Sequence, residues 1–340
     1  MQPVDMTTFL LRRLVFMALT VLGAVTVTFV LANLVPADPA RAALGPDATE
    51  AQVANYRRER GLDQPLLVQY GRYVSAMLRG DLGTSIVSRA PVAGDLGKFI
   101  PATVELLVPS LVISVVFGFV LGVGSAFFRG GVVDQLARFV SLLGLSMPVF
   151  WLGLVLQLVF FRWLGWFPAG GRLATVLSPP PNVTGFYTLD SLIAGNWQTL
   201  QSSLIHLVLP AVALATLTLG IVARMTRSSL LDVLSSNYVR TARSKGLRES
   251  VVLWKHALRN AAVPIVTVIG LRLGQMFSGA VLTETVFAWP GVGRYAFTAL
   301  KQLDFPVVMG FTVWATIIYA LVNLLVDLSY TVIDPRVRLE

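Results

Sequence analysis

Residues 103–128 read TVELLVPSLVISVVFGFVLGVGSAFF. Crossing the hydrocarbon core of a bilayer takes about 20 mostly apolar residues in a helix, and this run of 26 supplies them without interruption. Working outward, five further stretches meet the same template, at 14–35, 139–163, 204–222, 261–281 and 307–333. The composition agrees. Of 340 residues, 55% are hydrophobic and 13% charged, against roughly a quarter charged in a soluble domain. A water-soluble fold has too few polar groups here to cover its surface, and a disordered chain is excluded by the same figures. The expected fold class is an all-α integral membrane protein with six transmembrane helices. Arg12 and Arg13 precede the first stretch as they would in a secretory signal, but its apolar length exceeds the usual 7–15 residues and no small-residue cleavage site follows. It is read as an uncleaved span.

Charge placement sets the expected orientation. With the amino terminus inside, the inner segments hold 14 basic and six acidic residues, so that +8 of the net +9 falls on the inner side. This is a topology signature, not a nucleic-acid stripe. Cysteine is absent and histidine occurs only at His206 and His256, which disfavours a disulfide frame, a cysteine nucleophile or a multi-histidine metal centre. The outer loop, 36–102, carries turn residues around two helical patterns, one over 49–60 with Thr49 as N-cap and one over 66–78. A second outer loop, 165–201, is rich in Pro and Gly. The inner segment 223–260 holds ten charged residues.

Enzyme motifs fail in turn. A phosphate loop aligned on Gly97 and Lys98 has Val92 at its first glycine and Phe99 at the Mg²⁺-binding hydroxyl. The run Gly291, Gly293, Ala296 fits G-x-G-x-x-A, but no strand precedes it. An intramembrane protease would need a Ser–His or Asp–Asp pair, and Ser278 has no histidine partner. What stands out is the inner run Tyr238-Val-Arg-Thr-Ala-Arg-Ser-Lys-Gly246-Leu247. Gly246 after a basic turn would end a short helix in the left-handed conformation. Such a helix is either a knob that a partner grips or a solvated positive-inside loop.

That run resembles the signature loop of binding-protein-dependent ABC import permeases, in the dipeptide, oligopeptide and nickel branch. The branch commonly reads Tyr-Val-Arg-Thr-Ala-Arg-Ala-Lys-Gly, matched from Tyr238 to Gly246 except at Ser244. The general family's Glu-Ala-Ala falls on Arg240, Thr241 and Ala242, and its Ile-x-Leu-Pro on His256, Leu258 and Arg259, so the glutamate and the proline are missing. Further matches follow in order: Val35 to Pro39, Gly61 to Pro65, Gly80 to Ser85, Ser146 to Gly153, His206 to Pro210, Glu284 to Gly293, and Asp334 to Arg336.

The resemblance implies a type I importer permease with an N-terminal helix and outer loop over 1–100, a permease domain over 101–333 carrying a coupling loop at 223–260, and a tail at 334–340. It implies ATPase coupling through Tyr238, Arg240, Thr241, Ala242, Arg243, Lys245, Gly246 and Leu247. The partners it implies are a second homologous permease, two cytoplasmic ATPase subunits and an extracytoplasmic solute-binding protein, with no nucleic acid. No cofactor or metal is expected on this chain; ATP and Mg²⁺ are expected on the ATPases. The setting is a bacterial or archaeal cytoplasmic (inner) membrane, with lipid around the helices and both termini cytoplasmic. Di- or oligopeptide is the expected cargo, with nickel chelates, glutathione or another small solute as alternatives. An ion-coupled carrier acting alone, and a non-transporting scaffold or receptor, are the readings of other classes.

Within the spans, Arg272 and Asp327 are candidates for an intramembrane pair, because an unpaired charge there is costly. Gln275, Ser278 and Leu282 fall on one side of the fifth span and are candidates to line a path. Gly270 with Gly274, and Gly118 with Gly122, have the spacing of close helix approach. His206 and His256 read as ordinary hydrogen-bonding residues, and Glu284 as either a cap partner or a gate.

Overall fold

The computed structural model describes residues 6–34, 39–45 and 47–333, so residues 35–38 of the first outer-loop motif, Pro46 and the 334–340 tail lie outside the described residues. Within them the regular elements are helices, and the one β feature is an isolated bridge between Thr84 and Pro91. In chain order these are α1 (Met6–Leu34), α2 (Pro39–Leu44), α3 (Glu50–Arg60), α4 (Leu66–Leu78), α5 (Val92–Phe127), α6 (Val132–Ser146), α7 (Val149–Leu156, continued by a π-turn over Gln157–Trp163), α8 (Tyr187–Ile193), α9 (Trp197–Leu234), α10 (Asn237–Ser244), α11 (Glu249–Val251, followed by a π-turn over Val252–Ala257), α12 (Leu258–Val286), α13 (Val292–Lys301) and α14 (Phe305–Ile333).

Five helical stretches are long and apolar enough to cross a bilayer, and the bent pair α6–α7 makes a sixth. The pair departs from the single helix expected over 139–163. Pro148 clashes with an α conformation at the residue before it, so Met147 is extended (φ −92°, ψ 128°) and the two arms meet at a bend of 109°. The other spans run past their expected ends. α9 has 38 residues, about 57 Å at 1.5 Å per residue, nearly twice the roughly 30 Å hydrocarbon core. Segment 223–260 is therefore two helix extensions joined through α10, not a loop.

α3 and α4 occupy the residues expected for the two helical patterns of the loop 36–102. The Thr49 hydroxyl accepts from Gln52 N at 3.3 Å while the Gln52 side chain accepts from Thr49 N at 2.9 Å, closing a capping box. Gly61 ends the helix at φ +65°. The short helices α2, α8 and α13 were not expected.

α9 is the hub, packed by α5, α6, α7, α8 and α12. Lipid removes the usual hydrophobic drive between spans, so association relies on close packing. Glycine makes it possible: a Cβ on Gly118 would lie 2.8 Å from the Leu219 carbonyl oxygen, and one on Gly122 2.6 Å from that of Ala223. On the opposite flank Gly270 faces Val326 and Gly274 faces the Tyr319 ring, bringing α12 against α14. Ser114 Oγ donates to Ala215 O at 2.8 Å across the α5–α9 seam. Gly122→Leu is expected to abolish the folded subunit, because its first side-chain atom meets a neighbouring backbone that has no room to shift. The yield of monodisperse protein in detergent measures this, and near-native yield would refute it.

Candidate functional site

Three regions follow from this frame. At one end α10 lies on the platform made by the extended α9 and by the π-turn that leads into α12. Val239 and Ala242, three residues apart and thus on one face, are buried against Val252. The remaining expected coupling residues, Tyr238, Arg240, Thr241, Arg243, Lys245, Gly246 and Leu247, are exposed. Ala242 therefore seats the helix while the others form its outer face. Gly246 N donates to Arg243 O at 2.9 Å, and φ of +75° at Gly246 ends the helix as expected. A Cβ there would meet nothing within 4 Å. The Tyr238 hydroxyl accepts from Asn260 Nδ2 at 2.9 Å. Arg243 pairs with Glu249 at 2.7 and 3.2 Å, which raises its guanidinium further above the ordinary range. Both partners are half exposed, so the pair contributes little stability. Arg240, Lys245 and Arg248 have no acidic partner among the described residues and leave the knob cationic.

The platform is packed and hydrogen-bonded from beneath. Leu230, Leu253, Ala257, Ala261 and Ala126 form one buried cluster beneath it. Asp134 at the start of α6, 1% exposed, accepts from Arg227 of α9 at 2.8 and 3.1 Å, from Ser125 Oγ at 2.5 Å and from Gly130 N at 3.0 Å.

The second region is the α12 face carrying Gln275, Ser278 and Leu282, all exposed and aligned. Ser278 and Leu282 border two clefts. One, of about 310 Å³, also meets Arg272, Gln275 and Thr218; the other, of about 630 Å³, lies between α12, α14 and α1 with Phe277, Trp314 and Tyr319 on its walls. Arg272 Nη1 donates to Gln275 Oε1, one turn away on the same helix. The Asp327 side chain lies outside the described residues, and with it the other half of the expected Arg272–Asp327 pair. Val326, its neighbour, packs on Gly270.

At the opposite end of the helices Glu284 is 0% exposed. Its carboxylate accepts from Thr103 Oγ1 at 2.5 Å and from Arg294 N at 2.8 Å, and Thr103 Oγ1 accepts in turn from Val292 N at 2.8 Å. These are the free amides at the first turn of α13, which favour an anionic acceptor. A Cβ on Gly291 would collide with the Glu284 carboxylate, and one on Gly293 would lie 3.0 Å from it. Of the two readings of Glu284, the geometry is that of a cap partner. It also explains the G-x-G spacing without a nucleotide. Trp289, 1% exposed, donates from Nε1 to Ala102 O at 2.7 Å and closes the turn over α5.

Several polar partners on this side were not found in the sequence. Arg172 Nε donates to Glu105 Oε2 at 3.0 Å, with both side chains under 10% exposed, and the Arg172 guanidinium lies 3.8 Å over the Tyr187 ring. Glu105 Oε1 also accepts from Thr188 N and Oγ1, each at 2.7 Å. Burial would push Asp190 up, but donors from Thr184, Gly185 and Val183 outweigh it and hold its carboxyl below the usual range. Asp304 accepts from Ser85 Oγ at 2.6 Å, and Asp95 from Ser88 Oγ at 2.8 Å and the Tyr295 hydroxyl at 3.1 Å. Isolated acids near the ends of apolar runs were the available signal. His206 Nδ1 lies 2.7 Å from Ser202 O, an ordinary intrahelical contact. Among the described residues no group of three or more His, Cys, Asp or Glu side chains could hold a metal ion.

Two family profiles cover this architecture. The family described as binding-protein-dependent transport system inner membrane component matches residues 100–339, and its N-terminal companion matches residues 6–106. The probable D,D-dipeptide transport system permease protein DdpB of Escherichia coli (strain K12) is 49% identical over 94% of both chains. The dipeptide transport system permease protein DppB of Alkalihalophilus pseudofirmus is 41% identical over 98% of this chain and 100% of its own. The glutathione transport system permease protein GsiC of Salmonella typhimurium is 37% identical over 98% and 99%. Helices that cross a bilayer, a cationic helix that projects at one end, and a match along nearly the whole length make this chain a member of the binding-protein-dependent transport system inner membrane component family, a multi-pass, non-catalytic permease subunit.

Proposed function

We propose that this permease imports dipeptides, forming half of a translocation path whose energy comes from ATP hydrolysed by two separate cytoplasmic subunits. The observation that carries the reading is the seating of α10: an exposed cationic helix, stopped at Gly246 and seated by buried contacts on a packed platform, is a surface that can transmit a partner's motion to the spans. The relatives named for dipeptides support the cargo, and their higher identity favours it over glutathione. On this reading a second homologous permease supplies the other half of the path, a solute-binding protein docks on the outer loops, and both termini are cytoplasmic. The chain divides at about residue 100 into an N-terminal unit and the permease domain, with the tail beyond 333. Gln275, Ser278 and Leu282 face the path, and Arg272 pairs with Asp327 across α12 and α14.

An ion-coupled carrier usually holds several ionisable groups at membrane depth; along the clefts beside α12 the described residues offer Arg272 and Glu284, and Glu284 is engaged by Thr103 and the first turn of α13. Reconstitution separates the two. The assembled complex in liposomes is expected to accumulate a labelled dipeptide only with internal ATP and the binding protein present. Accumulation by the lone chain under an ion gradient would overturn the proposal.

A further inference from the structure

A cleft of about 270 Å³ opens between the end of α5, the start of α6 and α9, and none of the expectations above uses it. Three arginines line it: Arg138, Arg224 and Arg227. Among the described residues one acid pairs with them, Asp134: its carboxylate accepts from Arg227, Ser125 and Gly130, Arg138 Nη2 lies 3.4 Å from it, and Arg138 Nε donates to its backbone oxygen at 3.3 Å. Arg227 is thereby immobilised. Arg224 has no hydrogen-bond or ion partner among the described residues, and Arg138 keeps its guanidinium half exposed. The cleft thus carries three positive charges against one negative, a net surplus of two, with Arg138 and Arg227 sharing Asp134 and Arg224 left without a partner among the described residues.

Depth and polarity narrow the ligand. Arg224 stands two residues after the apolar stretch 204–222, the level at which hydrocarbon gives way to headgroups, and Arg138 of α6 lines the same cleft. The rest of the lining is apolar or small, with Ala137, Leu142 and Ala223. Beside it the α6 surface is apolar and open: Leu136, Phe139 and Leu142 are each more than half exposed, as expected of side chains that meet acyl chains. A cationic end joined to an apolar end, at the membrane boundary and between spans, matches an anion that carries its own hydrocarbon. Basic pockets between transmembrane helices take lipid headgroups in this way.

We infer that this cleft binds the phosphodiester of an anionic phospholipid, with Arg138 and Arg224 on the phosphate and Arg227 as the fixed wall. The inference needs only that the chain spans a bilayer, and it stands or falls apart from the dipeptide reading. A bound lipid would tie α6 to α9 beneath the coupling platform.

The test uses the assembled complex in mixed phosphatidylglycerol and phosphatidylcholine, with the retained lipid counted by native mass spectrometry. Native protein is expected to retain phosphatidylglycerol with roughly tenfold preference, since each basic group near an anionic surface contributes appreciably. The double substitution Arg138→Gln with Arg224→Gln should reduce that preference to about parity, while melting in pure phosphatidylcholine stays unchanged. A second arm adds millimolar inorganic phosphate without anionic lipid; failure to bind it supports a lipid, and saturable binding of it would overturn the lipid assignment. Undiminished preference in the double variant, or its destabilisation in pure phosphatidylcholine, would also overturn the inference. So would a preference seen only in the isolated subunit, because a partner would then cover the cleft.

Discussion

Gly246→Asp should assemble like the native subunit and retain less than about 1% of its ATP-driven uptake, a loss of the size expected when a contact that transmits motion fails. Assembly of the chain itself is spared because nothing lies within 4 Å of where the new side chain begins, and the φ of +75° costs an L-residue only about 1–2 kcal/mol. The platform, built from Leu230, Leu253 and Ala257, does not include this position. Coupling is lost for two reasons. A carboxylate at the last turn of α10 opposes the helix dipole and sits among Arg240, Lys245 and Arg248, changing the knob's charge where a partner would read it. Its bulk also fills the space left open above the glycine. Gly246→Ala separates the causes: it carries the backbone strain without the charge and should keep a substantial part of the uptake. The readouts are membrane insertion, co-purification with the ATPase subunits, and ATPase stimulation by the binding protein. Full uptake by Gly246→Asp would remove α10 from the coupling role.

What the sequence made visible was short-range. Thr49 with Gln52, and Gly61 after Arg60, act within four residues, and both ends of α3 fall where that chemistry puts them. Gly246 works in the same way. The pairs Gly118–Gly122 and Gly270–Gly274 needed only the helical repeat to be recognised as approach points, although not to say which helix approaches. Three kinds of feature stayed hidden. Hydropathy reports the part of a helix that lies in lipid, so it stopped at Val222 while α9 continues to Leu234. A proline inside an apolar run is compatible with a kink, a break or neither; Pro210 and Pro264 sit inside continuous helices whereas Pro148 starts a new one. The buried acids find partners far along the chain, Glu105 at Arg172 and Asp134 at Arg227, separations of 67 and 93 residues that no local pattern encodes.

Glu284→Ala is expected to destabilise the subunit by about 3–5 kcal/mol, the cost of a buried cavity together with an unsatisfied buried donor. The side chain is wholly enclosed, so its loss leaves a cavity as well as the Arg294 amide without an acceptor. Thr103 loses the acceptor of its hydroxyl while still accepting from Val292 N. The first turn of α13 would then be uncapped at the point where Trp289 and the two glycines fold against α5. Glu284→Gln keeps the volume and one oxygen but turns an amide donor toward the backbone donors, and a smaller loss of about 1–3 kcal/mol follows from one unsatisfied polar group. Gly291→Ala should approach the alanine variant in severity, because its Cβ occupies the carboxylate's place from the other side. Denaturation of the purified subunit, together with limited proteolysis of the turn at 287–291, measures all three. The cap reading requires that loss of uptake follow loss of stability across the series. Native melting and intact proteolytic resistance in Glu284→Ala, with transport abolished, would instead make this carboxylate a gate.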